Sequence, residues 1–250
     1  MPKIAFITGA TSGLGLATAR TLAKNGYHLI ATGRRTERLE ALQQEIKEVP
    51  VHPLSFDVRN KVEVRDAVNS LPEEWRGIDV LINNAGNAHG LAPIQKGDDR
   101  DWDMMLDINV KGLLYVTQAV LSLMLGRPNG HIINIGSVAG KEVYANGNVY
   151  CASKFAVDAL SKGMRLDLLP EGIKVSEVNP GMVYTEFSEV RFKGDKERAD
   201  AVYQGVQPLT AEDLADIILF VVNRPPHVNI AELLVFPAAQ AAATAVRRES

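Results

Sequence analysis

Short apolar runs alternate with amphipathic stretches along the whole chain. The apolar runs predict strands near 3–8, 28–32, 51–56, 79–83, 130–135, 173–179 and 232–236. The amphipathic stretches predict helices near 13–25, 36–48, 60–70, 101–125, 149–169 and 210–222. Several strand runs are apolar at nearly every position, which is typical of strands covered on both faces. This alternation predicts an α/β fold with a doubly wound parallel sheet and right-handed crossovers.

Two segments and two helices depart from this regular pattern. Residues 181–196 are predicted to form a long loop, and such loops are usually lids or binding loops. The tail, residues 240–250, is small and charged, so we expect it to fray or to dock on a partner subunit. Helices 101–125 and 149–169 carry apolar residues around more than one stripe. Either a subunit interface or deep packing within the monomer explains this.

Composition narrows the class of protein. A chain of 250 residues suits one large α/β domain, here residues 1–250. The net charge of −3 and the absence of a basic tract argue against nucleic acid as a partner. One cysteine, Cys151, excludes an intrachain disulfide, and we expect a buried thiol in a cytoplasmic protein. We expect no signal peptide, no membrane span and no metal site.

A glycine-rich turn joins the first predicted strand to the first helix. Gly9 permits a tight turn, Gly13 lets the backbone approach a pyrophosphate, and Gly15 allows close helix–strand packing. The phosphates would lie on free N–H groups at the positive end of the helix. The spacing GxxxGxG differs from the commonest dinucleotide fingerprint.

The second strand ends at a pair of arginines, Arg34 and Arg35. A carboxylate at this place would indicate NAD, whereas guanidinium groups suit the 2′-phosphate of NADP. The alternative is a solvated helix N-terminus. Asp57, after the third strand, could accept from the adenine amino group, with the Val58 backbone beside it; alternatively Asp57 caps the next helix.

Tyr150 and Lys154 lie four residues apart, so a helix places them on one face. Charges ~4 Å apart at an effective dielectric of ~20 interact by roughly 4 kcal/mol, which equals about three pKa units. We therefore expect Lys154 to bring the pKa of Tyr150 towards neutrality, where a phenol exchanges protons with an alcohol or carbonyl oxygen. Ser137 can bond that same oxygen. The alternative is an ordinary surface tyrosine and lysine.

These motifs together resemble the short-chain dehydrogenase/reductase family. The resemblance rests on residues 8–15, Asn83-Asn84-Ala85-Gly86, Asn109, Ser137, Tyr150-Cys151-Ala152-Ser153-Lys154 and Pro180-Gly181. It implies a single Rossmann-like domain with a seven-stranded sheet, helices on both faces and often a homotetramer.

The resemblance also implies roles for individual residues. Tyr150 would be the acid/base, Lys154 would hold the nicotinamide ribose, and Ser137 would orient the substrate oxygen. Asn109 would support a water-mediated proton path to Lys154. The implied cofactor-binding residues are Gly9, Thr11, Ser12, Gly13, Leu14, Gly15, Arg34, Arg35, Asp57, Val58, Asn84, Ala85, Gly86, Tyr150, Lys154, Pro180, Gly181, Val183 and Thr185.

A narrower resemblance is to the NADP-dependent 3-hydroxy acid dehydrogenases, carried by residues 30–35, Glu74-Trp75, 130–137, 147–150, 185–188 and 190–195. It implies serine, allo-threonine or 3-hydroxypropionate and malonic semialdehyde as substrates. Residues 182–185 depart from that pattern, with Tyr184 in place of a glycine. Other ketones or alcohols, and a non-catalytic NADP-binding regulator, stay as alternatives.

Arg191, in the predicted lid, could grip a substrate carboxylate through its planar fork. A solvated loop arginine or one bridging two subunits would explain it equally well. His89 could contact the substrate, although a capping or surface histidine is the alternative.

Overall fold

Seven parallel strands form one sheet across the part of the chain that the computed structural model describes, residues 2–127 and 129–249. The strand order is β3-β2-β1-β4-β5-β6-β7. The strands are β1 Ile4–Ile7, β2 His28–Gly33, β3 Val51–Ser55, β4 Ile78–Asn83, β5 His131–Ile135, β6 Lys174–Pro180 and β7 Glu232–Val235. Every predicted strand is confirmed within two residues, and the order reverses between β1 and β4, where such sheets open a crevice.

The helices cover both faces of this sheet. They are α1 Gly13–Lys24, α2 Thr36–Glu45, α3 Lys61–Asn69, α4 Asp99–Leu106, α5 Leu113–Met124, α6 Asn148–Asp167, α7 Phe187–Arg191, α8 Lys196–Ala201 and α9 Ala211–Val222. Neighbouring strand residues point to opposite faces, so Ile7 packs on the α1 and α9 side while Phe6 packs on the α5 side. The predicted doubly wound fold is confirmed.

The predicted helix 101–125 is confirmed as one continuous helix over residues 99–124, but it is not α-helical throughout. Between α4 and α5 the chain forms a π-helical segment, Asp107–Gly112. Within it the buried Asn109 side chain accepts from the Asn87 backbone N–H at 2.8 Å and donates to the Asn87 carbonyl at 2.8 Å. These long-range bonds, which no local pattern encodes, favour the wider turn. Such turns are frequently found at functional sites.

The predicted unstructured lid is also wrong in part. Residues 181–196 contain α7, and α8 begins at Lys196. The Thr185 hydroxyl accepts from the Phe187 N–H at 3.3 Å, and Asp195 caps α8 by accepting from the Arg198 N–H at 3.1 Å. Threonine and aspartate are common at the starts of helices, but α7 and α8 are too short for their apolar residues to show a helical period.

The C-terminal tail docks on its own chain. The Gln240 side chain accepts from the Met182 N–H at 2.8 Å, and the Ala243 N–H donates to Glu142 at 2.8 Å. The Glu249 N–H donates to the Gly205 carbonyl at 2.8 Å. The expectation of a fraying tail is therefore wrong for residues 240–249, while docking on a partner subunit stays a prediction. Ser250 lies outside the described residues.

No helix among residues 2–127 and 129–249 is long and apolar enough to cross a membrane. Cys151 is buried and unpaired with another cysteine, as expected.

Candidate active site

The glycine turn and the start of α1 form one end of a cleft. Gly9 and Gly13 have φ of +70° and +50°, which are left-handed values that other residues rarely adopt. Ser12 precedes α1 in extended conformation, and its side chain does not cap the helix. The first N–H groups of α1 are thus left for another acceptor, which is the arrangement that binds a phosphate.

Three arginines surround this turn. Arg35 donates to the Thr11 and Ser12 hydroxyls at 3.1 Å each, and Arg34 is exposed beside it. The sequence missed Arg38, whose guanidinium lies 3.1 Å from Glu186 in the lid. Arg35 lies 3.7 Å from the same carboxylate. Arg35 also stands at the N-terminus of α2 and is 42% exposed, so the alternative of a solvated helix N-terminus stays open.

Asp57 lines the cleft but does not cap α3. The cap is Asn60, which accepts from the Val62 and Glu63 N–H groups. Asp57 instead pairs with Arg59 at 2.6 Å and lies 4.0 Å from Arg34. Burial would raise the pKa of Asp57, but the hydrogen bonds from Arg59 hold it below its usual value. The carboxylate is therefore ionised and already partnered.

One cavity of about 760 Å³ collects the predicted residues from all these strand ends. The predicted site residues that line it are Gly9, Thr11, Ser12, Gly13, Leu14, Arg34, Arg35, Asp57, Val58, Asn84, Ala85, Gly86, Ser137, Tyr150, Lys154, Pro180, Gly181, Val183, Thr185 and Arg191. Two predicted residues are not part of this lining: Gly15 packs against Gly9, and Asn109 lies behind Gly86. His89 is not part of the lining either, and its Nε2 lies 2.9 Å from the Asn87 side-chain nitrogen.

Tyr150 and Lys154 are both buried at the inner end of this cavity. Lys154 donates to the Ile135 carbonyl at 2.9 Å, and the Ser137 hydroxyl accepts from the Ala139 N–H at 3.1 Å. Asn109 donates to the hydroxyl of Ser153 at 3.0 Å, and Ser153 lies on the same helix as Tyr150 and Lys154. The alternative of a surface tyrosine and lysine is wrong.

Arg191 reaches Tyr150 from the lid. Its guanidinium carbon lies 4.8 Å from the centre of the Tyr150 ring and 5.4 Å from that of Phe187. Its Nη2 donates to the Tyr144 hydroxyl at 2.7 Å. In the described part of the chain, Nε of Arg191 is buried and has no hydrogen-bond partner. A solvated loop arginine is thus excluded, while an arginine that bridges two subunits stays an alternative.

Comparison with known proteins identifies this arrangement. The profile of the family described as short chain dehydrogenase matches residues 3–196. The chain is 48% identical over 238 residues to the NADP-dependent 3-hydroxy acid dehydrogenase YdfG of Salmonella typhi, covering 95% of this chain and 96% of that one.

This protein belongs to the short-chain dehydrogenase family.

Two further relatives of this short-chain dehydrogenase match almost end to end. Sulfoacetaldehyde reductase 2 of Chromohalobacter salexigens is 45% identical over 252 residues, covering 100% of both chains. The closed form of serine dehydrogenase complexed with NADP+ has a TM-score of 0.93 at 44% identity, covering 99% of this chain and 100% of that one. The resemblance inferred from the motifs is confirmed.

Burial dominates the electrostatics of this dehydrogenase's inner cavity. It raises the pKa of Tyr150 to about 12, and the main opposing influence is the nearby Arg191. Burial lowers the pKa of Lys154 to about 8, and the Glu177 carboxylate opposes that fall. The expectation that Lys154 brings the pKa of Tyr150 towards neutrality is therefore wrong for the protein alone. Desolvation of the phenolate outweighs the attraction of nearby cations.

Sequence reasoning missed several residues of the site. Tyr144 and Phe187 hold Arg191, while Gln240 and Thr244 bring the C-terminal tail to the cavity wall. No motif in the sequence marks Tyr144 as a residue of the site. The tail could not be placed because its contacts join residues about 60 positions apart in the chain, such as Gln240 and Met182.

Proposed function

We propose that this protein is an NADP-dependent oxidoreductase that transfers hydride reversibly between the cofactor and carbon 3 of a short 3-hydroxy acid. The substrate class comprises serine, allo-threonine, and 3-hydroxypropionate with its oxidised form, malonic semialdehyde. The observation that carries the proposal is the guanidinium of Arg191, which lines the cavity with its central carbon 4.8 Å from the centre of the Tyr150 ring. An anionic group next to the reacting carbon would reach both side chains.

The cofactor site follows from the residues at the strand ends. The N-terminus of α1 would hold the pyrophosphate, and Arg34 with Arg35 would hold the 2′-phosphate. Lys154 would bind the nicotinamide ribose, and Thr185, which faces Gly13 across the cleft, would bond the carboxamide. When bound, NADP accepts or supplies the hydride.

The chain itself moves the proton. In oxidation, the Tyr150 phenolate takes the proton from the substrate hydroxyl. In reduction, the Tyr150 hydroxyl protonates the developing alkoxide while Ser137 donates a hydrogen bond to it. The Lys154 ammonium and the oxidised nicotinamide together lower the cost of the buried phenolate, which burial alone makes high. Asn109 would hold the water chain that returns the proton to solvent.

Removal of the Arg191 charge tests the substrate class. Arg191→Met should reduce kcat/KM for 3-hydroxypropionate by roughly 10- to 100-fold, since a hydrogen bond to a charged group contributes about 1.5–3 kcal/mol. Arg191→Lys keeps the charge but not the planar guanidinium group, so it should reduce kcat/KM by a smaller factor. The methyl ester should be a poor substrate for the wild type and should respond little to either change. Equal wild-type activity on acid and ester would contradict the proposal.

A second candidate substrate is sulfoacetaldehyde, favoured by the 45% identity with sulfoacetaldehyde reductase 2 along the whole chain. Sulfoacetaldehyde and malonic semialdehyde both place an anion one methylene from an aldehyde, so Arg191 could hold either. A higher kcat/KM for sulfoacetaldehyde than for malonic semialdehyde would select this candidate. Turnover of uncharged ketones or alcohols alone would favour another carbonyl reductase of the family, and NADPH binding with no turnover would favour a regulator.

We also propose that the protein works as a cytoplasmic homotetramer. Leu166 in the last turn of α6 and Leu169, two residues after the helix, are 75% and 74% exposed, and Phe155 on α6 is 39% exposed. Such apolar surface is typical of a subunit contact. Sedimentation at micromolar concentration should give about four times the mass of one chain, and a monomer would contradict this.

A further inference from the structure

A cluster of charged side chains lies beside α6, outside the lining of the cavity. The Lys141 ammonium lies 3.3 Å from Glu177 and 3.0 Å from Glu232, and it also pairs with Asp158. These residues come from the segment after β5, from α6, from β6 and from β7. The three carboxylates lie within 4.8 Å of one another, and Lys141 supplies the cation between them.

Glu177 is the member of the cluster that lies against Gly136, the residue before Ser137. Its side chain is 1% exposed, whereas that of Glu232 is 37% exposed. Glu177 and Asn179 lie two residues apart on β6, so they share one face of the sheet. Both face Gly136, where an added Cβ would come within 2.5 Å of Glu177 Oε1. Asn179 accepts from the Ser137 N–H at 3.0 Å, which joins this face to the catalytic serine.

Lys154 approaches the same short piece of backbone. Its amine donates to the carbonyl of Ile135, the residue that precedes Gly136. Glu177 and Lys154 therefore flank residues 135–136, one as an anion and the other as a cation. Asp158 lies one helical turn beyond Lys154 on α6, and its carboxylate is engaged by Lys141 and Lys162.

We propose that Glu177 is a positioning residue that keeps the Lys154 amine charged at the pH of the reaction, and that Lys141 keeps Glu177 ionised. The inference rests on the proposed role of Lys154 in binding the nicotinamide ribose. The proposal gives a function to Lys141, which does not line the cavity.

The electrostatics of the buried groups support this arrangement. Burial lowers the pKa of Lys154, and Glu177 is the charged group that opposes this. Burial also raises the pKa of Glu177, while Lys141 opposes that rise and Asp158 adds to it. The other charged groups at this place are Lys162 on α6 and Glu232 on β7, both bound within the cluster. Tyr150, one turn before Lys154, is neutral in the protein alone.

The test is the pH dependence of NADPH binding, followed by nucleotide fluorescence. In the wild type we expect affinity to fall by roughly ten-fold as Lys154 loses its proton, because charge-assisted hydrogen bonds to the ribose are lost. In Glu177→Gln the midpoint of this fall should move down by roughly one pH unit. Glu177→Asp keeps the charge but shortens the side chain by one methylene, so its midpoint should lie between those of the wild type and Glu177→Gln.

Glu232→Gln is the matched control, because it removes a carboxylate from the same lysine at the exposed end of the cluster. It should leave the midpoint unchanged. The inference is overturned if Glu177→Gln weakens binding equally at every pH, or if Glu232→Gln moves the midpoint as far. Should Glu177→Gln fail to fold, an unshifted midpoint in Glu177→Asp overturns it instead. A wrong substrate class would leave all these binding profiles unchanged, so the two failures are distinguishable.

Discussion

At the scale of single residues, the site is governed by the cost of burying charge. Tyr150 and Lys154 are both buried, and desolvation moves their pKa values in the directions that favour the neutral forms. Arg191 favours the Tyr150 phenolate, as Lys154 and an oxidised nicotinamide ring would, whereas Glu177 favours the Lys154 ammonium. The acidity of the phenol is thus a property of the assembled complex rather than of the Tyr150 and Lys154 pair.

Replacement of the phenol tests this proton-transfer role. Tyr150→Phe should lower kcat by at least ~100-fold, the lower end of what a general acid or base contributes. The burial-raised pKa of Tyr150 also means that wild-type oxidation should speed up as the pH rises through the alkaline range, since more phenolate forms. That rise should be missing from the residual activity of the variant.

The measurement is steady-state kinetics with the best substrate from pH 6 to 10, with NADPH binding as the control for an intact site. A Tyr150→Phe enzyme whose turnover is close to that of the wild type would remove the proposed role.

At the scale of elements, the lid and α2 meet over the glycine turn. Glu186, just before α7, bridges Arg35 and Arg38 on the other side of the cleft. Exposed ion pairs of this kind contribute little to stability on their own. The position of these ion pairs indicates a role in cofactor binding instead, because a 2′-phosphate bound at Arg34 and Arg35 would lie among the same guanidinium groups.

Removal of these guanidinium groups tests the choice of cofactor. The double change Arg34→Ala with Arg35→Ala should raise the KM for NADP much more than the KM for NAD, because only NADP carries the 2′-phosphate. Arg65→Ala, on the exposed face of α3, is a control that should change neither value. An equal rise in both KM values would remove the argument for NADP.

At the scale of the whole molecule, a buried histidine couples stability to pH. His131 begins β5 and bonds the Ser176 hydroxyl at 2.8 Å. Burial lowers its pKa from 6.5 to about 3, with Lys174 and Lys3 adding to the fall. The unfolded chain therefore binds a proton between these pH values that the folded chain does not bind. Stability present above pH 6.5 is lost as the pH falls, by up to roughly 1.4 kcal/mol per pH unit.

His131→Asn should make the free energy of unfolding less sensitive to acid between pH 6.5 and 4, even if the variant is less stable at pH 7. Urea unfolding followed by circular dichroism at each pH measures this. His227→Asn, at an exposed position, should keep the wild-type slope. Identical slopes for His131→Asn and the wild type would show that another group carries the acid sensitivity.

Local sequence patterns were enough to place the sheet and the cofactor end of the site. Apolar runs such as residues 131–135 identify buried strands locally, and the glycine turn requires left-handed φ values at Gly9 and Gly13. Once the strands are parallel, their carboxyl ends must meet at one edge, so the motifs after them were expected to converge. They do so around one cavity.

The substrate end of the site and the charged cluster behind it depend on packing between distant parts of the chain. The packing of Arg191 among Tyr144, Tyr150 and Phe187, and the position of Glu177 beside residues 135–136, join parts of the chain that share no local pattern. Burial then set the pKa values, because desolvation depends on every neighbour and not on spacing along a helix. Local periodicity encodes elements and their ends, whereas charge and shape inside a cavity arise from contacts between distant residues.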